Sequence, residues 1–107
     1  MSDLQQLNHE RKQAEDQVRR GEMLEKLMSN REFKKLILEF FAKDEPARLV
    51  GFLAYAKGDQ RDQAIGLMDT ISGFMQWMDS VESLARKGKE MLASYDDALS
   101  VIMNHED

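Results

Sequence analysis

The two histidines are the side chains with the most informative chemistry, because an imidazole can bind a metal or move a proton near neutral pH. His9 lies near the start of the chain and His105 lies near its end, beside Glu106 and Asp107. A site of histidines and carboxylates needs three or four ligands that converge on the ion at about 2.0–2.2 Å. No spacing in the sequence brings these groups together. We therefore expect exposed histidines, with no metal site and no cofactor.

Motifs for catalysis are also missing from the sequence. Serine, histidine and aspartate all occur, but the sequence has no nucleophile elbow, no glycine-rich phosphate loop and no HExxH pattern. The run at residues 58–60 (GDQ) follows no strand and precedes no Lys-Ser/Thr, so it predicts a turn between helices. Asp96 and Asp97 are adjacent and project to different sides of a helix, where they cannot share a proton. The sequence therefore predicts a protein that is not an enzyme and has no catalytic residue.

Composition excludes further classes of function. The chain has 107 residues, 33% of them charged and 42% apolar, and a net charge of −5. This charge argues against nucleic acid as a partner, since phosphate binding needs a basic surface. The polar first residues predict no secretory signal, and no uncharged apolar run reaches the roughly 18 residues of a membrane span. The absence of cysteine excludes disulfides and thiol chemistry.

Breaks in the hydrophobic pattern predict one all-α domain over residues 1–107, with helices at about 3–28, 30–42, 45–57 and 60–103. Capping boxes begin at Ser2 and Ser29, where each side chain can accept a backbone N–H of the first turn. Asp44 is placed to cap the third helix. Gly58 suits the left-handed position after that helix, and Asp59 suits the cap of the last one.

The last helix carries the strongest pattern in the chain, an apolar seam that alternates steps of three and four residues. The seam comprises Ala64, Leu67, Ile71, Phe74, Met78, Val81, Ala85, Gly88, Leu92, Tyr95, Leu99 and Ile102. A weaker seam in the first helix comprises Leu4, Leu7, Arg11, Ala14, Val18, Gly21, Glu25 and Met28. Such seams are typical of long helices that pack along one stripe, as in coiled coils.

Two long seams separated by short helices predict an elongated antiparallel hairpin, a coiled-coil-like stalk with two short helices forming a head. Small residues set the register, with Gly21 opposite Ala85 and Val18 opposite Gly88. In this register Leu4 lies opposite Ile102. The predicted core of the head comprises Phe33, Leu36, Ile37, Phe40, Leu49, Val50, Leu53, Leu67, Ile71, Phe74 and Trp77.

Eight methionines are an unusual number for a chain of this length. Methionine fills cores, and it is also over-used on surfaces that bind other proteins. Apolar side chains that flank the seams are the candidates for a protein interface, and they are Phe41, Phe52, Tyr55, Met75 and Trp77. Because an apolar surface on a helical stalk is best covered by another copy, we expect a homo-oligomer.

The predicted head also carries a resemblance to a known group. Residues 30–41 (NREFKKLILEFF), followed by residues 43–50 (KDEPARLV), resemble a segment of small helical proteins encoded by tailed bacteriophages. There the segment reads "DFKKLILEGYFKEEAxRLV", between a charged N-terminal helix and a long C-terminal one. Phe40 stands where those proteins often have Gly-Tyr, so the turn between the short helices is expected to differ.

The function that the resemblance implies is particle assembly, because such proteins are often encoded among virion-structure genes. We therefore expect a bacteriophage structural or virion-assembly protein, acting through helix-mediated self-association and contacts with other phage or host proteins. The alternative is a small phage inhibitor that binds a host protein such as a defence enzyme. In either case the expected location is the host cytoplasm or the virion, without membrane or nucleic-acid partners.

Overall fold

The computed structural model describes the backbone of residues 3–105 and the side chains of residues 3–101. Every element in this range is helical, which confirms the all-α class. The elements are α1 (Asp3–Met28), α2 (Arg31–Phe33), a π-helix (Lys34–Asp44), α3 (Glu45–Leu53) and α4 (Asp59–His105). The predicted cap at Ser2 and the predicted seam contact of Ile102 lie outside the described residues, as does the side chain of His105.

The chain forms two compact units. The first unit joins the residues of α1 up to Leu24 to the residues of α4 from Ser80 onward, and the second unit comprises Glu25–Asp79. α1 and α4 therefore contribute to both units.

Close approach of two helix backbones holds the first unit together. A Cβ at Gly88 would lie 2.9 Å from the carbonyl oxygen of Ala14 and 3.2 Å from Cγ2 of Val18, and a Cβ at Gly21 would overlap the Cβ of Ala85. Residue numbers rise along α1 as they fall along α4, so the two segments are antiparallel. These contacts confirm the predicted register at Gly21–Ala85 and at Val18–Gly88.

The seam of α4 is confirmed at every position with a described side chain, because each is buried or half-buried. The seam of α1 is confirmed only in its middle. Leu4 and Glu25 are exposed, whereas Leu24 is buried. The inward stripe steps from Gly21 to Leu24 because a helix with 3.6 residues per turn drifts away from a strict 3.5-residue repeat.

Asn30, not Ser29, begins the helical run that follows α1. The Asn30 backbone is extended, at φ −73° and ψ 130°, and its side-chain oxygen accepts a hydrogen bond from the N–H of Phe33 at 2.9 Å. The Ser29 hydroxyl instead donates to the carbonyl oxygen of Glu25 at 3.2 Å. The predicted cap at Ser29 is wrong because that residue still belongs to the last turn of α1.

No break separates the two short helices that the sequence predicts. Asp44 has helical dihedrals and makes no capping hydrogen bond, and the N–H of Glu45 donates to the carbonyl of Phe40, five residues earlier. Pro46 supplies a physical reason for this i→i+5 bond, which makes the helical turn wider than in an α-helix. Proline lacks an N–H, and its ring crowds the carbonyl four residues before it in a regular α-helix. Residues 31–53 thus form one continuous run of α2, π-helix and α3.

α3 ends at Leu53, four residues before the predicted end at Lys57. The N–H groups of Ala54 and Tyr55 donate to carbonyls only three residues earlier, which tightens the chain into a turn. Gly58 adopts the predicted left-handed backbone, with φ 62°. The last helix begins directly after it, at Asp59.

The π-helix changes which side chains of this run face inward. Its i→i+5 bonds make each turn wider than the 3.6 residues of an α-helix. Over residues 31–44 the half-buried side chains are therefore Phe33, Ile37, Leu38, Phe41 and Ala42. Leu36 and Phe40, which an α-helical stripe would bury, are 62% and 50% exposed.

The core of the second unit is smaller than the sequence predicts. Leu49, Ala64 and Ile71 are buried together, and partly buried side chains of Phe41, Leu53, Leu67 and Met68 pack against them. The prediction is wrong for four residues that are exposed, namely Leu36, Phe40, Val50 and Trp77. Val50 and Trp77 each adjoin an inward residue, Leu49 and Met78 respectively, and so point about 100° away from it around the helix.

Two leucines in the π-helix test which face of residues 34–44 points inward. We expect Leu38→Ala to lower the free energy of unfolding by about 1–2 kcal/mol, because half-buried methyl groups lose their contacts. Leu36→Ala is its matched control and should change stability by less than about 0.5 kcal/mol, as at other exposed sites. Urea denaturation followed by circular dichroism measures both. The reverse order of effects would show that residues 34–44 keep the α-helical phase.

Candidate protein-interaction surface

The end of α3 presents an exposed apolar surface in the second unit. Residues 49–56 (LVGFLAYA) include no charged side chain. Five of these residues are exposed, and we call them the α3 tip: Val50, Gly51, Phe52, Ala54 and Tyr55. Tyr55 is 86% exposed, and a Cβ at Gly51 would meet nothing within 4 Å. The α3 tip is therefore open to a partner along its whole length.

Buried neighbours hold the α3 tip in place. Leu49 is 3% exposed and lies in the core, and Leu53 packs against that core one helical turn later. The carbonyl oxygen of Leu53 accepts a hydrogen bond from Nη1 of Arg61 at 3.4 Å. Ala56, directly after the tip, is buried again. A surface anchored on both sides in this way loses little conformational entropy on binding.

An ion pair lies one turn before the tip. Arg48 donates from Nε and Nη2 to the two carboxylate oxygens of Glu45, each at 2.9 Å. The side-chain hydrogen bond from Arg48 lowers the pKa of Glu45, with the charge of the arginine adding to the effect. The same hydrogen bond raises the pKa of Arg48. Because the two charges compensate each other, the α3 tip adjoins a locally neutral pair.

The structure divides the five predicted interface residues into two groups. Phe41 and Met75 are half-buried, whereas Phe52, Tyr55 and Trp77 are exposed. The ring of Phe41 meets the ring of Phe74 edge-on, with centroids 5.7 Å apart. Phe74 in turn lies 6.2 Å from Trp77. Phe41 thus contributes to the edge of the core, and the role of the other residues at an interface stays a prediction.

Sequence reasoning missed three exposed apolar residues, Leu36, Phe40 and Val50. Leu36 and Phe40 match an α-helical stripe, and the sequence places all three residues in the predicted core of the head. For Val50 the sequence does contain a signal, because a charge-free run of eight residues on a short helix cannot turn every side chain inward. For Leu36 and Phe40 no local pattern indicates the π-helix.

A separate polar cluster lies between α1 and α4 in the first unit. The hydroxyl of Tyr95 donates to Oε2 of Glu10 at 2.9 Å. One residue further along each helix, Nη2 of Arg11 lies 3.7 Å from Oδ1 of Asp96 and its Nε lies 3.4 Å from Glu15. These contacts pair the helices in the same antiparallel register as the glycines. The hydrogen bond to Glu10 raises the pKa of Tyr95, and burial and the negative charge of that carboxylate raise it further.

The titration of Tyr95 tests this cluster. With Tyr55→Phe, Tyr95 becomes the only tyrosine of the chain. Its phenolate absorbance should then appear above the ordinary pH of about 10, and adding Glu10→Gln should return it toward that value. Because the folded pKa is raised, the hydrogen bond stabilises the fold fully below pH about 10, and this stabilisation is lost as pH rises through the folded pKa. An unchanged titration after Glu10→Gln would contradict the assigned bond.

The described part of the chain also bears on metal sites and membrane spans. His9 is exposed. Among the described residues, no three His, Asp or Glu side chains are grouped so that they could hold a metal ion. Within the same residues, none of the helices combines the length and the apolar character that crossing a membrane requires.

Comparison with known proteins adds no further site. No protein-family model, curated protein or solved structure matches this chain.

Proposed function

We propose that this chain is a non-enzymatic bacteriophage structural or virion-assembly protein that acts through contacts between helices of different protein molecules. The observation that supports this proposal is the α3 tip, an exposed, charge-free and well-anchored apolar surface. Exposed apolar surface of this kind is stabilised when a partner removes it from water. Tyrosine and phenylalanine, which the tip contains, are enriched in the cores of protein interfaces.

The phage assignment is supported by the resemblance of residues 30–50, the segment that leads directly into the α3 tip. The net charge of −5 supports a protein partner over a nucleic acid. A place in the host cytoplasm or the virion belongs to the same proposal, as does self-association. The arrangement of the chain as a hairpin with a head of short helices stays a prediction of the sequence.

Incorporation into purified phage particles tests the proposal. The wild-type protein should be found in particles, and Tyr55→Asp should greatly reduce incorporation because it places a charge in the α3 tip. Met23→Asp is the matched control, since Met23 is exposed on α1, outside the second unit. Circular dichroism checks that both variants keep their helices.

Two results would contradict the proposal in different ways. A tip variant that is incorporated like the wild type would exclude the α3 tip as the binding surface. A wild-type protein that never enters particles, and instead forms a stoichiometric complex with one host protein, would favour the inhibitor.

A further inference from the structure

The C-terminal half of α4 has a second stripe beside its seam. It again alternates steps of three and four residues, and its members are Leu84, Lys87, Met91, Ser94, Ala98 and Val101. We call this set the outer stripe. All six side chains are exposed, and the three largest apolar ones, Leu84, Met91 and Val101, are 42%, 39% and 55% exposed.

α1 does not cover the outer stripe. In the first unit α1 packs on the seam of α4, where Gly21 meets Ala85 and Val18 meets Gly88. Leu84 precedes Ala85 by one residue and therefore points about 100° away from it around the helix. Positions that flank a two-helix seam are usually charged. Apolar residues at the flanking position in three successive heptads (Leu84, Met91 and Ala98) widen the apolar face toward a further helix.

We propose that the outer stripe between Leu84 and Met91 is the contact between two copies of this chain, which pair antiparallel along α4 about a two-fold axis. The contact deepens the proposed function, because it names the partner and the surface for self-association. A two-fold axis makes the interface self-complementary, so the part of the stripe from Leu84 to Met91 needs only to fit its own reverse.

The charges on and beside the stripe select the antiparallel arrangement. With the axis between residues 87 and 88, Leu84 of each copy lies opposite Met91 of the other. Measured along the helix axis, Lys87 then lies about 3 Å from Glu90 of the second copy, a distance that two long side chains easily span. The reciprocal pair forms on the other side of the axis. A parallel arrangement would instead place Lys87 against Lys87 of the second copy, and like charges at an interface are unfavourable.

Charge complementarity also favours a second copy of α4 over α1 as the occupant. The exposed residues of α1 include Lys12, Glu15, Arg19 and Arg20, so its outer face is highly charged. Lys87 and Glu90 are both exposed, and they lie three residues apart on the stripe's own side of the helix. One reversed copy therefore supplies the opposite charge for each of them.

Charge-reversal variants of the full chain test the contact by sedimentation equilibrium. Wild type should dimerise, and Lys87→Glu or Glu90→Lys alone should raise the dimer Kd about tenfold, because each places like charges across both symmetric pairs. The double variant should return the Kd to within about threefold of wild type. An equimolar mixture of the two single variants should form a heterodimer, because both of its cross-pairs join opposite charges.

Matched variants on α1 separate this pairing from general charge attraction. Lys12→Glu and Glu22→Lys make the same charge changes at exposed positions away from the outer stripe. Their mixture should dimerise like wild type, without preference for the heterodimer.

Two outcomes would overturn the contact. The first is a wild-type chain that stays monomeric at high concentration, and the second is a set of single variants with the Kd of wild type. The proposed function fails separately, in the particle assay, when the wild-type protein does not enter particles. The Tyr55→Asp result there is independent of the contact, because Tyr55 belongs to the second unit and not to the outer stripe.

Discussion

Replacing Gly88 with leucine is expected to lower the free energy of unfolding by about 2–3 kcal/mol, as for other insertions into a closely packed site. The first added atom, Cβ, would already lie 2.9 Å from the Ala14 carbonyl oxygen. That oxygen belongs to a helix backbone, so it cannot rotate away as a side chain could. The helices must separate, and Ala14, which is 1% exposed, would lose its packing.

Gly73→Leu is the matched control on the same helix. A Cβ at Gly73 meets nothing within 4 Å. Leucine there should stabilise the chain by up to about 1 kcal/mol, because glycine is the poorer helix former. Urea denaturation monitored by circular dichroism gives both values. If both variants shift stability in the same direction, the close approach of α1 and α4 at Gly88 is excluded.

Leu49→Ala is expected to lower the free energy of unfolding by about 2–4 kcal/mol, the cost of a cavity in a small core. Leu49 is 3% exposed and forms the core of the second unit with Ala64 and Ile71. Few other side chains are available to fill the space, since many large apolar residues of this unit point outward. The core therefore depends strongly on this one leucine.

The neighbouring residue provides the control for Leu49. Val50→Ala removes two methyl groups that are largely in water, and alanine is the better helix former. Its free energy of unfolding should stay within about 0.5 kcal/mol of the wild-type value. Thermal unfolding of the two variants and of the wild type measures both changes in stability. Similar losses for both would mean that α3 is enclosed on two sides.

The candidate interaction surface was predicted only in part. Tyr55 and Phe52 are predicted at an interface because they flank the seams, and both are exposed. Phe41 was assigned to the same surface, but its ring packs on Phe74 at the edge of the core. Leu36 was assigned to the core and is exposed. The positions of Leu36 and Phe41 depend on the helical phase of residues 34–44, which no periodicity in the sequence reveals.

What the sequence alone determined is the helical class, the seam of α4 and the register of the first unit at its small residues. These features follow from local rules, because steps of three and four residues define one face of a helix and glycine marks a close approach. Only the tertiary structure decided the π-helix, the early end of α3 and the exposure of Leu36 and Phe40. The choice between i→i+4 and i→i+5 bonding is small in local energy, so the crowding at Pro46 and the packing of Phe41 and Leu49 on α4 decide it.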